Sequence, residues 1–150
     1  MLIAIGSMKG SPGVTSTALA LAAVWPRQAV VLEADPAGGD LAYRCKAAYG
    51  GLPYTDRGVL TLAAAMRDGL ADPDAIATQA QLLACGVNVI PGVATVAQSR
   101  GVAQLWSTIA EACQAAEVDV IADLGRLDRA STVMPLARAA EAFLPVKDQV

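Results

Sequence analysis

The residues best suited to chemistry lie in a glycine-bearing segment that follows an apolar stretch, Lys9-Gly10-Ser11-Pro12-Gly13-Val14-Thr15-Ser16. Such a loop between a strand and a helix can bind phosphate, because glycine lets backbone N–H groups approach an anion and a helix N-terminus favours negative charge. In the common phosphate-binding loop, G-x-x-x-x-G-K-S/T, lysine follows the last glycine. Val14 stands at that position. The segment therefore predicts a phosphate-binding loop without its usual cation.

Carboxylates follow two other apolar runs. Glu33 and Asp35 come after residues 29–32, and Asp123 comes after residues 118–122. Mg²⁺ bound between phosphates takes oxygen ligands, usually a hydroxyl group and carboxylates that act directly or through water. Thr15 supplies a hydroxyl at the start of the predicted helix. We therefore predict a metal site formed by Thr15, Asp35 and Asp123.

The elements that must position these residues alternate between short apolar runs and longer helical patterns. We predict strands at 2–5, 29–32, 118–122 and 142–146, a hairpin or bent strand over 81–90, and helices at 15–24, 59–67, 73–80, 102–116 and 131–140. Residues 43–56 contain glycine and proline and are predicted to be irregular. The alternation predicts an α/β fold, a mostly parallel sheet with helices on both faces. Ligands of such sheets bind at the carboxyl ends of the strands, where the candidate residues fall.

Composition narrows the class of protein. The chain has 150 residues, so we expect a single domain over 1–150, and 55% of its residues are hydrophobic but only 4% aromatic. A net charge of −3 without a Lys/Arg cluster argues against direct nucleic-acid binding. The longest apolar run, 18–25, is far short of the ~20 residues that span a bilayer. We therefore expect a cytoplasmic protein with no membrane segment.

Other residues have simpler interpretations. Cys45, Cys85 and Cys113 are odd in number and no histidine accompanies them, so we expect reduced, mostly buried thiols rather than a metal site. Trp106 falls on the apolar face of the helix predicted over 102–116 and is expected in the core. Arg126, Asp128 and Arg129 are expected to be solvated loop charges.

Three segments together resemble one protein family. Residues 9–16 resemble the deviant Walker A motif, K-G-G-x-G-K-S/T-S/T, of the ParA/MinD family of P-loop ATPases, and five of the seven specified positions agree. Residues 31–36, Val-Leu-Glu-Ala-Asp-Pro, resemble the family's V-L-x-I-D-x-D-P segment. Residues 118–123, Val-Asp-Val-Ile-Ala-Asp, resemble its Walker B strand, commonly Y-D-x-I-I-x-D. The order and separation of the three segments also agree.

The resemblance implies roles for particular residues. Lys9 would be the signature lysine, which in this family reaches the phosphates of the partner subunit. Thr15 would bind Mg²⁺, Asp35 would position the attacking water, and Asp123 would order the metal's shell. Lys9 and Asp35 are thus the implied catalytic residues. The implied nucleotide-binding residues are Lys9, Gly10, Ser11, Gly13, Val14, Thr15 and Ser16.

The resemblance also implies a function. We expect a P-loop nucleotide-binding domain that takes ATP or ADP with Mg²⁺ and forms a homodimer. It would act with a protein partner as a switch in positioning, partitioning or secretion-machinery assembly. Because Val14 cannot stabilise phosphate charge, we expect ATP hydrolysis to be slow or absent. The family continues with further strands and helices, so the chain is expected to be a truncated or minimal version of its fold.

Two alternatives remain open. The first is a pseudo-ATPase that keeps the fold as an interaction scaffold and binds no nucleotide. The second is a Rossmann-type dinucleotide-binding domain, since Glu33 follows the loop at about the 20-residue distance of a ribose-binding acid. Gly6, Gly10 and Gly13 argue against it, because their spacing is G-x-x-x-G-x-x-G rather than G-x-G-x-x-G.

Overall fold

The computed structural model of the protein describes residues 1–8 and 12–147. Its strands are β1 (Leu2–Ser7), β2 (Ala29–Glu33), β3 (Gln81–Leu82), β4 (Asn88–Ile90), β5 (Asp119–Arg126) and β6 (Ala142–Pro145). Its helices are α1 (Val14–Ala23), α2 (Leu41–Arg44), α3 (Val59–Ala65), α4 (Pro73–Gln79), α5 (Val96–Val102), α6 (Trp106–Ala115) and α7 (Met134–Ala139). Within the described ranges, no helix combines the length and the apolar character needed to cross a membrane.

The six strands form one sheet in the order β3-β4-β2-β5-β1-β6. Neighbouring strands are parallel except β3 and β4, which pair antiparallel. Of the two alternatives predicted for 81–90, a hairpin or a bent strand, the structure has the hairpin. Strand β5 lies between β1 and β2, with Ile121 opposite both Ile3 and Val31. The carboxyl ends of β1, β2 and β5 are therefore adjacent, and the loops that follow them share one edge of the sheet.

Apolar side chains pack on both faces of this sheet. Alternate residues of a strand point to opposite faces, so Ala4, Leu32 and Ala122 join one buried cluster. Their neighbours Ile5, Val31 and Ile121 join the other. Helices α3 to α7 contribute to the first cluster and α1 and α2 to the second. The predicted α/β fold, a mostly parallel sheet with helices on both faces, is confirmed.

The segment between α1 and β2 is held to the sheet by one carboxylate. Trp25 Nε1 and Arg27 Nε donate hydrogen bonds to Asp119 Oδ2, at 2.7 and 2.8 Å. Asp119 begins β5 and is buried. Burial raises its pKa, but the hydrogen bonds from Trp25, the amino terminus and Arg27 outweigh that effect and lower it below the ordinary carboxyl value. The ionised form of Asp119 thus helps position β2 against β5.

The region from 95 to 116 differs from the sequence-based prediction of one helix over 102–116. Helix α5 starts at Val96, where Thr95 Oγ1 accepts a hydrogen bond of 3.2 Å from the backbone N–H of Gln98. A 3₁₀ turn at Ala103–Leu105 then leads into α6. Threonine is a favoured N-cap, so the cap residue explains the earlier start. The prediction for Trp106 is confirmed, since it is 2% exposed in the core.

Three further details differ from the prediction. The segment over 43–56 is irregular as predicted, but the short helix α2 precedes and overlaps it. The predicted strand 118–122 continues to Arg126, so Asp123 lies within β5 rather than after it. The expectation of mostly buried cysteines is wrong: Cys113 is buried, Cys45 is half-buried and Cys85 is exposed.

Candidate functional site

A cavity of about 610 Å³ lies at the carboxyl ends of the central strands. It is bounded by the start of α1, the ends of β2 and β5, and helix α2. Its walls combine apolar, acidic and basic side chains. The lining residues are Pro12, Gly13, Val14, Thr15, Ser16, Leu19, Glu33, Asp35, Gly38, Asp40, Leu41, Arg44, Cys45, Gly125 and Arg126.

The N-terminus of α1 opens onto this cavity. Gly13 precedes the helix with a φ of 104°, a left-handed conformation that favours glycine, and its carbonyl accepts a hydrogen bond of 2.8 Å from Thr17 N–H. The predicted binding residues Gly13, Val14, Thr15 and Ser16 all line the cavity. Lys9, Gly10 and Ser11 lie outside the described residues, so their roles stay predictions.

A hydrogen bond of 2.5 Å from Thr15 Oγ1 to Asp123 Oδ2 joins the start of α1 to β5. The other carboxylate oxygen, Asp123 Oδ1, accepts a 3.0 Å bond from Gly125 N–H. Asp123 has no exposed surface, whereas Thr15 lines the cavity. Because the Thr15 proton is directed to Asp123, the hydroxyl lone pairs remain available to the cavity. Asp123 therefore affects the cavity indirectly, by orienting the Thr15 hydroxyl group.

Asp35 faces the cavity from the segment after β2. Its Oδ1 accepts a 2.8 Å hydrogen bond from Ala37 N–H, which orients the carboxylate. The carboxylate packs directly on Gly125, where a side chain's Cβ would overlap it. Gly125 also has a φ of +58°, a second reason for glycine at this position. The close approach of Asp35 to the end of β5 depends on that glycine.

Glu33 lines the same cavity, but its carboxylate is bound by the backbone. Oε1 accepts hydrogen bonds from Asp40 N–H at 2.9 Å and Leu41 N–H at 3.1 Å. Oε2 accepts a 2.7 Å bond from Gly92 N–H. These bonds join the end of β2 to the start of α2 and to the segment after β4. Glu33 thus shapes the cavity wall, and its oxygens are already engaged.

Glu33, Asp35 and Asp123, at or behind the cavity wall, have raised pKa values. Burial is the main cause for Glu33, Asp35 and Asp123. The charge of Asp35 further raises the pKa of Asp123, against the lowering effect of the Thr15 and Gly125 hydrogen bonds. A bound cation would relieve this repulsion. Among the described residues, however, no three His, Cys, Asp or Glu side chains are grouped to hold a metal by themselves.

Two arginines add positive charge to the cavity. Arg44 Nη1 forms an ion pair of 2.8 Å with Asp40 Oδ2. Arg126 ends β5, is exposed, and has no ion pair within the part of the chain that the structure describes. The sequence-based interpretation of Arg126 as a solvated loop charge missed its place in the cavity lining. The sequence signal for this location was that Arg126 directly follows Gly125, close to the predicted site residue Asp123.

Val14 occupies the start of α1, where the common motif has lysine. It is 6% exposed and packs in the cluster that contains Ile5, Ala18 and Val31, while part of it lines the cavity. Leu19 and Leu41 continue this apolar wall. The valine therefore has a packing role of its own. It also leaves the described part of the segment that leads into α1 without a cation.

Comparison with protein-family models and with curated proteins finds no match to this chain.

Proposed function

We propose that the cavity binds the phosphates of ATP or ADP together with Mg²⁺, in a P-loop domain of the ParA/MinD type. The observation that carries this proposal is the hydrogen bond from Thr15 to Asp123 at the N-terminus of α1. It joins the two residues to which the sequence resemblance assigns the metal site. Asp35, the third residue of that predicted set, lines the same cavity.

The chemistry of the donors fits this ligand. The start of α1 offers backbone N–H groups and a positive dipole end to a phosphate. Thr15 would give an oxygen lone pair to Mg²⁺ while its proton stays on the hydrogen bond to Asp123. Asp123 is buried, so its proposed role is to orient that hydroxyl. Asp35 reaches the cavity from the segment after β2, where its proposed role is to hold a water molecule.

Hydrolysis is proposed to be slow or absent. Stabilisation of phosphate charge supplies most of the catalysis in phosphoryl transfer. Val14 offers neither charge nor a hydrogen bond there. Among the described residues, Arg126 is the cation of the cavity lining that forms no ion pair. Lys9 of a partner subunit is the cation that the family resemblance implies. The protein would then work as a dimerising, nucleotide-responsive switch that acts on a partner protein in positioning, partitioning or secretion-machinery assembly.

The second candidate function is a pseudo-ATPase scaffold that binds no nucleotide. The observation that favours it is the charge of the cavity, where Glu33, Asp35 and Asp40 meet a loop without the usual lysine. These carboxylates repel phosphate unless a cation lies between them. Dinucleotide binding of the Rossmann type is less favoured. A ribose hydroxyl at Glu33 would have to compete with three backbone hydrogen bonds.

The test is calorimetric titration of the protein with ATP and with ADP, each with and without Mg²⁺. We expect binding that Mg²⁺ strengthens. Thr15→Val keeps the shape of the side chain but removes the hydroxyl, so we expect it to abolish the Mg²⁺ dependence. Because it also leaves Asp123 Oδ2 without its Thr15 donor, it should lower the free energy of unfolding by about 1–3 kcal/mol. The folding of the variant is checked by circular dichroism.

Thr17→Val is the matched control, since Thr17 lies on the exposed side of α1 and does not line the cavity. It should bind nucleotide as the unmodified protein does. Absence of binding heat with either nucleotide at millimolar concentration, with Mg²⁺ present, would exclude the switch and favour the scaffold.

A further inference from the structure

Two cysteines that are distant in sequence approach each other beside the cavity. Ala47 and Leu83 form an antiparallel bridge. Ala48 N–H donates to Leu82 O and Ala84 N–H donates to Lys46 O, both at 2.8 Å. Cys45 directly precedes Lys46, and Cys85 directly follows Ala84. The two cysteines are therefore next to the residues that the second hydrogen bond joins. This pairing brings the two thiols to the same end of the bridge.

The register of the bridge suits a link between these side chains. Its two hydrogen bonds flank the pair Ala47 and Leu83, so that pair is of the non-hydrogen-bonded type, with Cα atoms roughly 4.5 Å apart. Cys45 lies two residues before Ala47, and Cys85 lies two residues after Leu83, where the chain already turns. A disulfide needs Cα atoms roughly 4.4–6.8 Å apart. Cys85 lies in the turn closed by the bond from Gly86 N–H to Leu83 O, so a local change in that turn can adjust the separation.

The two thiols differ in their exposure to solvent. Cys85 is exposed, whereas Cys45 is half-buried and lines the cavity at the end of α2. Burial raises the pKa of Cys45, and the negative charge of Cys85 raises it further, which is consistent with their proximity. Cys113 belongs to the cluster on the other face of the sheet, where burial raises its pKa to about 12. Cys113 is therefore unable to compete with Cys45 and Cys85 for a disulfide reagent.

We propose that Cys45 and Cys85 are a modification site, at which a small-molecule disulfide such as oxidised glutathione converts two thiols into one reversible disulfide. The Cys85 thiolate attacks one sulfur of the reagent, forming a mixed disulfide and releasing one thiol. The Cys45 thiolate then attacks Cys85 Sγ and releases the second thiol. Two protein thiols are oxidised, the reagent is reduced to two thiols, and the two protein protons pass to the thiols released.

The disulfide has a structural consequence. It ties the turn after β3 to the C-terminal end of α2, where Cys45 N–H donates to Leu41 O at 3.0 Å. Both Leu41 and Cys45 line the cavity. Oxidation would therefore fix this wall of the cavity. The site is independent of the nucleotide proposal, because it requires only the two thiols and the register of the bridge.

The test is incubation of the folded protein with oxidised glutathione, followed by intact mass and peptide mapping. We expect a loss of about two mass units, from two hydrogens, a crosslinked peptide that contains Cys45 and Cys85, and reversal by dithiothreitol. Cys113→Ala is the control and should form the same crosslink. Cys45→Ser should stop at the first step and accumulate a glutathione adduct on Cys85.

Three results would overturn the proposal. The first is that the unmodified protein accumulates only glutathione adducts. The second is a crosslink that involves Cys113. The third is a loss of two hydrogens that persists in Cys45→Ser. Circular dichroism before and after treatment establishes that the thiols reacted in the folded chain.

Discussion

Replacement of Val14 by lysine would restore the residue that the common phosphate-binding loop carries. Val14 is 6% exposed and packs against Ile5 and Ala18, so the substitution removes a buried apolar side chain. Full burial of valine stabilises by about 1.5–3 kcal/mol. The methylene stem of lysine can recover part of this while its ammonium group extends into the cavity. We expect Val14→Lys to lower the free energy of unfolding by about 1–2 kcal/mol.

The same substitution should strengthen nucleotide binding. A hydrogen bond between a cation and a phosphate contributes about 1.5–3 kcal/mol. Since about 1.4 kcal/mol corresponds to a tenfold change in affinity, we expect Val14→Lys to bind ATP with Mg²⁺ roughly 10- to 100-fold more tightly. Chemical denaturation measures the first effect and calorimetry the second.

Val14→Met is the matched control, because methionine is nearly as long as lysine and carries no charge. It should share the change in packing without the gain in affinity. If Val14→Lys binds nucleotide no more tightly than Val14→Met, residue 14 does not face a phosphate, and the assignment of the loop is wrong.

Three further predictions concern the site and the fold. Gly125→Ala, which places a Cβ against the Asp35 carboxylate at a positive φ, should lower the free energy of unfolding by about 1–2 kcal/mol. Gly101→Ala is the control, since it lies in helix α5 with open space around the new methyl group, and it should be neutral or stabilising when both variants are unfolded by denaturant. If both variants lose the same free energy of unfolding, the proposed overlap with Asp35 is wrong. Asp119→Asn should cost about 1–3 kcal/mol at neutral pH. Although burial raises the pKa of Asp119, hydrogen bonds lower it overall, so its contribution is present above the ordinary carboxyl pKa and should shrink as pH falls below about 4. Unfolding curves from pH 7 to pH 3 measure that difference, and a difference that grows in acid would refute the assignment. Cys113, whose pKa is raised to about 12 by burial, should react with iodoacetamide only after denaturant unfolds the chain; rapid labelling in the folded protein would contradict its burial.

Much of the fold could be predicted because its signals are local. The predicted runs 2–5 and 29–32 are short, apolar and followed by glycine or an acidic residue, as expected for buried parallel strands. In the structure they lie within β1 and β2. The shared location of Thr15, Asp35 and Asp123 could also be predicted, because ligands of such sheets bind at the carboxyl ends of the strands. Their predicted grouping agrees with the hydrogen bond from Thr15 to Asp123 and with the place of Asp35 in the cavity.

The details that were not predicted depend on contacts between distant residues. The partners of the Glu33 carboxylate include Gly92 N–H, which only the pairing of β2 with β4 brings close. The approach of Cys45 to Cys85 similarly depends on the bridge from Ala47 to Leu83. Neither contact leaves a periodic pattern in the sequence.

The most direct test of the central claim is nuclear magnetic resonance mapping of backbone amides during titration with ADP and Mg²⁺. If the cavity is a nucleotide-phosphate site, the largest shift changes should occur at Gly13, Thr15, Ser16 and Gly125, and Thr15→Val should abolish their Mg²⁺ dependence. Unchanged spectra at millimolar ADP, or changes confined to residues outside the cavity, would contradict the account.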